Sequence, residues 1–423
     1  VAMSAVLGRR ELAAYGALAL PLAFAALPIY VHVPKLYGDE LGLSLSLVGA
    51  VLLGVRVLDA VLDPLLGWWS DRWGRRRLLI GLSLPLLALG MLGLLRPPAE
   101  VVGASWLALV LTLVCLGFSL ASINYYAWGA ELSASAHERT RITAIREAFA
   151  LAGVVTAAVV PGYLGADLAN GLARSAIVFV LLLALAAAIT LAVAPPAGRL
   201  RPEPAGMFAA VRDTLRNRPF ARLLAVFAAN GIAAAIPATL VLFFVSDVLD
   251  LDAWAGMFLG VYFVAGIAAL PTWVFAARRF GKANAWLASM ALAIGAFVFA
   301  FLIGSGDLAQ FVVICALTGA ALGADLSLPP SMLADVIDRD RRGGSGAKAG
   351  AYFGVWTFFT KLNLALAAGI ALPLLAALGY TPGEEGGGDA IALSAVYALL
   401  PIPLKAAAAF LLWRSRRELE VGK

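Results

Sequence analysis

The sequence predicts an all-α membrane protein of twelve spanning helices arranged as two six-helix bundles, and three observations lead to it. The chain of 423 residues is 62% hydrophobic and only 14% charged, whereas soluble domains carry about 25% charged residues. Apolar stretches long enough to cross a bilayer, about 20 residues each, recur twelve times between short polar breaks. A polar, proline-rich segment near the middle separates six of these stretches from the other six.

The spans are expected near residues 11–33, 45–69, 77–96, 102–129, 144–165, 174–195, 220–246, 253–277, 283–304, 308–333, 350–378 and 390–413. They are continuously apolar and rich in Leu and Ala, where barrel strands would alternate over about ten residues. Helices also pair their backbone groups locally, as lipid requires. The first run follows Arg9 and Arg10, has full span length and lacks a small-residue cleavage pattern, so it is read as a retained span rather than a signal peptide. Residues 1–195 and 220–423 are expected to form the two bundles. Residues 196–219 then form a linker, in which Pro202 and Pro204 precede an amphipathic stretch from Met207 to Arg216.

The formal charge of +6 is explained by topology. Threading the spans across alternate sides puts 25 of the 32 Lys and Arg on the side of the N-terminus, 3 on the other side (Lys35, Arg96 and Arg174) and 4 within spans (Arg56, Arg146, Lys361 and Lys405). Positive charge gathers on the cytoplasmic face, so both termini are expected in the cytoplasm and no nucleic-acid partner is needed. The expected setting is a bacterial inner membrane, with the protein working as a monomer. The opposite loops are acidic: Asp39 and Glu40; Asp247, Asp250 and Asp252; Glu384, Glu385 and Asp389. Cys115 and Cys315 both fall in spans, and with only two histidines no metal cluster, disulfide or cofactor is expected. The absence of a phosphate-binding Gly-x-x-x-x-Gly-Lys loop excludes ATP hydrolysis within this chain.

Internal similarity supports the division. SDRWGRRR (70–77) after the second span is echoed by ARRFGKAN (277–284) after the eighth, and Glu131 and Asp335 stand at matching ends of the fourth and tenth spans. Two parallel six-helix halves around a midplane site are one solution for a transporter.

In the second span, Arg56, Asp59 and Asp63 share one helix face. A charge at the bilayer centre costs about 2.5–3.5 kcal/mol even on insertion scales and signals function by default. Two carboxylates there ask for a cation: a proton, Na⁺ or a side chain such as Lys361, which lies halfway along the eleventh span. The plainer alternative is a structural Arg56–Asp59 pair with Asp63 near the surface. At the repeat offset, Asp59 and Asp63 correspond to Gly266 and Leu270, so the architecture alone does not demand these carboxylates. Lys405, beside Pro401 and Pro403, reads as a residue snorkelling near a helix break. Asn124, Tyr125, Trp128 and Arg146 form a polar and aromatic group in the fourth and fifth spans that suits a polar organic solute, and Trp356 of the eleventh span joins them. Tyr125 and Trp128 equally suit an interfacial belt.

The segment from Gly67 to Arg76 resembles the Gly-x-x-x-Asp-Arg-x-Gly-Arg-Arg loop signature of the major facilitator superfamily. A tight turn at Gly74 leaves Asp71 to cap or pair with a neighbouring helix end, while the arginines, Arg72 and Arg75 among them, face the anionic leaflet. Together with Glu131 and Asp335, residues Gly67, Asp71, Arg72, Gly74 and Arg75 are the gating candidates. The wider set RVLDAVLDPLLGWWSDRWGRRR, Glu138 to Arg146, and DVID followed by YFGVWTFFTKL resembles the melibiose-permease-like glycoside-pentoside-hexuronide:cation symporters, a branch shared with lysolipid transporters of animal membranes.

That resemblance implies alternating access and assigns Asp59 and Asp63 as cation-site carboxylates, Lys361 as the lysine of the eleventh span, and Trp128 and Arg146 as solute-site positions. Two departures stand out: Asn124 replaces an aspartate shared by the family's cation and sugar sites, and Leu18 falls where a sugar-binding aspartate is expected. Hard cations prefer anionic oxygens, so the first departure favours H⁺ over Na⁺, with Na⁺ still allowed at Asp59 and Asp63. Both departures weigh against a galactoside. The expectation is a non-enzymatic, cation-coupled symporter of a small polar organic solute, sugar-like in character. A lysolipid carrier on the same fold and a non-transporting receptor are the alternatives.

Overall fold

Long apolar segments become helices wherever the sequence places a span. The computed structural model describes residues 7–37, 41–43, 45–98, 103–133, 135–165, 168–196, 206–343, 349–380 and 390–420. The acidic positions Asp39, Glu40, Glu384, Glu385 and Asp389 lie outside the described residues, as do Pro202 and Pro204. The helices are α1 (Arg9–Ala17), α2 (Ala19–Lys35), α3 (Leu45–Trp73), α4 (Arg76–Leu95), α5 (Ala104–Glu131), α6 (Ala136–Leu164), α7 (Leu168–Val193), α8 (Met207–Arg216), α9 (Arg218–Phe243), α10 (Ala255–Phe280), α11 (Lys282–Ala300), α12 (Leu308–Arg342), α13 (Ala349–Ala377), α14 (Ala390–Ser394) and α15 (Pro401–Leu419). No strand occurs among the described residues.

Among the described residues, nine helices are long and apolar enough to cross a membrane. The other expected spans are occupied by α1 with α2, by the charge-bearing α3, and by α13. The first span is thus broken at Leu18 into two helices. The second and tenth run on to Trp73 and Arg342, beyond their expected apolar limits. The amphipathic stretch of the linker is helix α8, as its pattern predicts. Large apolar side chains point outward along the spans, among them Leu53, Leu89, Leu181 and Phe299, each more than 60% exposed. Such a surface is expensive in water and suited to lipid.

The chain divides into two compact units: Val1–Thr214 with Ile337–Phe358, and Leu215–Val336 with Phe359–Lys423. This differs from a simple partition at 195 and 220, because the end of α12 and the start of α13 group with the first unit. Within that grouping lie the Asp71 and Arg139 contacts and the close glycine packing of α3 against α13 described below.

Lipid-embedded helices associate through close packing of small residues rather than through water exclusion. In the first unit, Gly90 and Gly117 bring α4 and α5 together: a Cβ on either would meet backbone of the partner helix at Val114 or Leu87. In the second unit, Gly319 and Gly323 of α12 lie against the carbonyls of Tyr262 and Gly266 in α10. The second unit also contains two π-helical turns, Phe244–Val248 after α9 and Ala395–Leu399 between α14 and α15. Their rings meet: Phe244 stacks on Tyr397 with centroids 4.1 Å apart. Two helix starts are capped by side chains, Ser135 accepting from the Glu138 amide and Asn217 from the Phe220 amide.

Candidate coupling and solute sites

On α3, four-residue spacing places Asp59 and Asp63 one turn apart. Both are buried, Asp63 completely. Asp59 Oδ1 accepts a hydrogen bond from Ser119 Oγ of α5 at 2.8 Å. The backbone beside Asp63 is approached closely by α13, since a Cβ on Gly354 would strike the Asp63 carbonyl. Two acidic side chains therefore sit inside the first unit, on a helix broken in pattern by Pro64. Lys361 is half-buried on α13 and belongs to the second unit, whereas Trp356 is buried in the first.

The solute candidates are placed differently from a cavity lining. Asn124 is fully buried, accepting from Ser70 Oγ at 2.5 Å and donating to the Leu120 carbonyl at 2.8 Å. Tyr125 and Tyr15 stack at 4.6 Å, and each hydroxyl donates to the other residue's carbonyl. Trp128 is completely buried; its indole N–H donates to the Pro195 carbonyl at 3.0 Å and its ring meets the edge of Tyr15. In this conformation these three side chains are core packing of the first unit, with their polar handles already committed, and Tyr125 and Trp128 do not form an exposed interfacial belt. Arg146 is also buried, paired with Glu147 at 2.5 Å and stacked 4.2 Å over the Tyr126 ring.

The loop signature has a concrete geometry. Gly74 adopts φ +61, the left-handed turn that separates α3 from α4. Asp71 accepts from the amides of Gly350 and Ala351 at 2.7 Å each, so its carboxylate caps the start of α13. Those amides have no intrahelical acceptor, and a helix N-terminus favours negative charge. Gly67 and Gly350 permit the approach, because a Cβ on either would strike the other's carbonyl oxygen.

Arg76 corrects the expectation that the arginine cluster faces the leaflet. It is 2% exposed and bridges Asp71 at 2.5 Å and Glu131 at 3.1 Å, while Arg72 and Arg75 remain exposed. Nearby, Arg139 pairs with Asp338 at 3.4 Å, and Arg341 and Arg342 engage the same carboxylate. The second unit repeats the motif: Lys282, first residue of α11, pairs with Asp335 of α12 at 2.6 Å and donates to Ser331. Arg76 and Lys282 are each the first residue of their helix, α4 and α11, although at the repeat offset Lys282 aligns with Arg75 and not Arg76, so the two pairs are similar in kind and shifted by one residue in register.

Lys405 is a second correction. It does not snorkel: it is 2% exposed, and its Nζ donates to Asn230 Oδ1 at 2.7 Å and to Asp325 Oδ2 at 3.1 Å. Asp325 Oδ1 in turn accepts from Trp286 Nε1 at 2.7 Å. Asp325 was overlooked in the sequence, although an aspartate inside an apolar span is by itself a signal. Arg76 and Ser119 were missed as well. For Arg76 the signal was the presence of two carboxylates, Asp71 and Glu131, near the ends of adjoining helices.

Repeated helical halves with buried ion pairs at matching helix starts define the class as a major facilitator. Solved structures agree in fold: the fucose:proton symporter FucP of E. coli in its outward conformation superposes with a TM-score of 0.71 at 14% identity, covering 96% of this chain and 97% of that one. A bacterial homologue of the iron transporter ferroportin, in an outward-facing state, gives 0.69 at 17% identity, covering 97% and 100%.

The chain belongs to the MFS/sugar transport protein family, whose model matches residues 12–416. Its fold and family are those of transporters, not enzymes. The inner membrane symporter YicJ of Escherichia coli is 26% identical over 407 residues, covering 88% of this chain and 84% of that protein. The sphingosine-1-phosphate transporter MFSD2B of Mus musculus is 27% identical over 365 residues, covering 77% and 72%. The match to the Xenopus tropicalis protein of the same name spans only 32% of that protein's length and 39% of this chain.

Proposed function

We propose that this protein is a cation-coupled secondary transporter that moves a small polar organic solute by alternating access, with H⁺ as the coupling ion. The reading rests on one observation above all: Asp59 and Asp63 are buried one turn apart on a helix of an integral membrane fold. Holding two negative charges out of water is costly unless a cation shares the site. A mobile cation that neutralises them lowers that cost, so its binding favours the occluded states through which loaded carrier passes. Loss of one expected carboxylate at Asn124 favours a proton over Na⁺. Gly67, Asp71, Arg72, Gly74, Arg75, Glu131 and Asp335 serve the conformational change, with Arg76 and Lys282 as the buried counter-charges. The charge distribution supports an inner-membrane protein with both termini in the cytoplasm, and a monomer is sufficient for this mechanism.

An amphiphilic cargo is the second reading, favoured by the similarity to MFSD2B. A thermal-shift screen of sugars, organic acids and lysolipids, at two pH values with and without Na⁺, separates the two, because a ligand that binds only the folded state raises its apparent stability. Coupling is then tested in proteoliposomes with the identified solute. Asp59→Asn and Asp63→Asn are expected to abolish uphill accumulation and solute-induced proton flux while sparing solute exchange. Undiminished accumulation in both variants rejects the assignment.

A further inference from the structure

The second unit contains a cavity of about 180 Å³ whose walls come from α9, α10, α11, α12, the Ala395–Leu399 π turn and α15, and whose lining includes Asp325 and Lys405. We infer that this cavity is a binding site for an uncharged amphiphilic molecule that presents a hydroxyl to the Asp325–Lys405 pair and lays its apolar body against Val241, Phe258 and Leu259. The inference does not depend on the coupling role of Asp59 and Asp63, which lie in the other unit.

The hydroxyl follows from counting donors and acceptors. An ammonium has three N–H donors. Lys405 spends two, on Asn230 and Asp325, and among the described residues the third has no protein acceptor. Asp325 accepts from Trp286 through Oδ1 and from Lys405 through Oδ2, which leaves lone pairs on a carboxylate able to accept about four hydrogen bonds. One open donor beside one open acceptor is matched by a group that both accepts and donates. A hydroxyl does so, whereas a carbonyl only accepts and an ammonium only donates.

The neutrality follows from charge. Asp325 and Lys405 cancel, and their side chains are 13% and 3% exposed. A ligand bearing a full charge would leave that charge uncompensated in a poorly solvated site, a penalty of several kcal/mol, whereas an uncharged one leaves the pair intact. The rest of the lining is mainly aliphatic and aromatic and rewards burial of apolar surface, with Tyr262, Thr318 and Tyr397 adding hydroxyl groups. This combination, a mostly apolar pocket with a few convergent polar groups, is the usual form of a small-molecule site.

A matched series tests it: 2-phenylethanol, phenylacetate and phenethylammonium share one ring and differ in the group they offer to the pair. Binding is measured by saturation-transfer NMR on the full chain in lipid nanodiscs, with empty nanodiscs subtracted. The alcohol is expected to bind at least tenfold tighter than either ion. Ala238→Trp adds bulk to the cavity wall while keeping both members of the pair, and is expected to weaken the alcohol at least tenfold. Lys405→Met combined with Asp325→Asn removes the donor and the charged acceptor together and is expected to weaken it at least fivefold. If that double variant fails to fold, Ala238→Trp decides alone. An ion that binds as tightly as the alcohol, a signal unchanged in Ala238→Trp, or no protein-dependent signal for any of the three overturns the inference.

Discussion

Replacing Asp71 should loosen the start of α13 at two particular amides. The carboxylate accepts from Gly350 N and Ala351 N at 2.7 Å each and from Arg76 Nη2 at 2.5 Å. A hydrogen bond to a charged group contributes about 1.5–3 kcal/mol, and about 1.4 kcal/mol corresponds to a factor of ten in an equilibrium. Asp71→Ala should therefore accelerate hydrogen exchange at Gly350 and Ala351 by roughly 10- to 150-fold, reported by the peptide spanning 349–358 in mass spectrometry. Asp71→Asn keeps one neutral acceptor and should give an intermediate acceleration, while Arg72→Ala, an exposed neighbour, should leave the peptide unchanged. Equal exchange in wild type and Asp71→Ala would refute the cap, since then the two amides draw their protection from elsewhere.

Two further outcomes follow from packing and charge. Gly67→Ala or Gly350→Ala should cost about 1–3 kcal/mol of stability by forcing α3 and α13 apart, seen as a lower midpoint in thermal unfolding, whereas Gly295→Ala, in open space on α11, should be neutral or slightly stabilising. Lys282→Met should destabilise the second unit by about 3–5 kcal/mol because it takes the ammonium away from buried Asp335, and adding Asp335→Leu should restore much of the loss. By contrast, Glu418→Ala breaks the exposed pair with Arg222 and should change the midpoint little, on the order of 0–1 kcal/mol.

Spans and internal repeat were legible because they rest on long-range averages: hydrophobic length, the asymmetry of Lys and Arg, and an echo between 70–77 and 277–284. The roles of single polar residues were less legible, since a lysine in an apolar run has two outcomes set by what stands across from it. Lys405 found Asp325 and Asn230 instead of the membrane surface because all three project into one unit. Arg76 looked like one of four loop arginines, yet as the first residue of α4 it is buried against Asp71 and Glu131, while Arg75 just before it is exposed. Trp128 read well as an aromatic near a membrane boundary, and only the carbonyl of Pro195, 67 residues away in sequence, explains its complete burial. The grouping of 337–358 with the first unit was hidden for the same reason, because it depends on contacts made across 279 and 280 residues of chain.

The π turn at Ala395–Leu399 carries a consequence for everything after it. A helix advances about 100° per residue, so excising a single amino acid there would swivel the final helix by more than a quarter revolution. Tyr397 would leave Phe244, and the lysine eight positions beyond would swing off its aspartate. One surplus residue thus works as a phase shim, and a deletion that spares every charged side chain would still dismantle the buried pair.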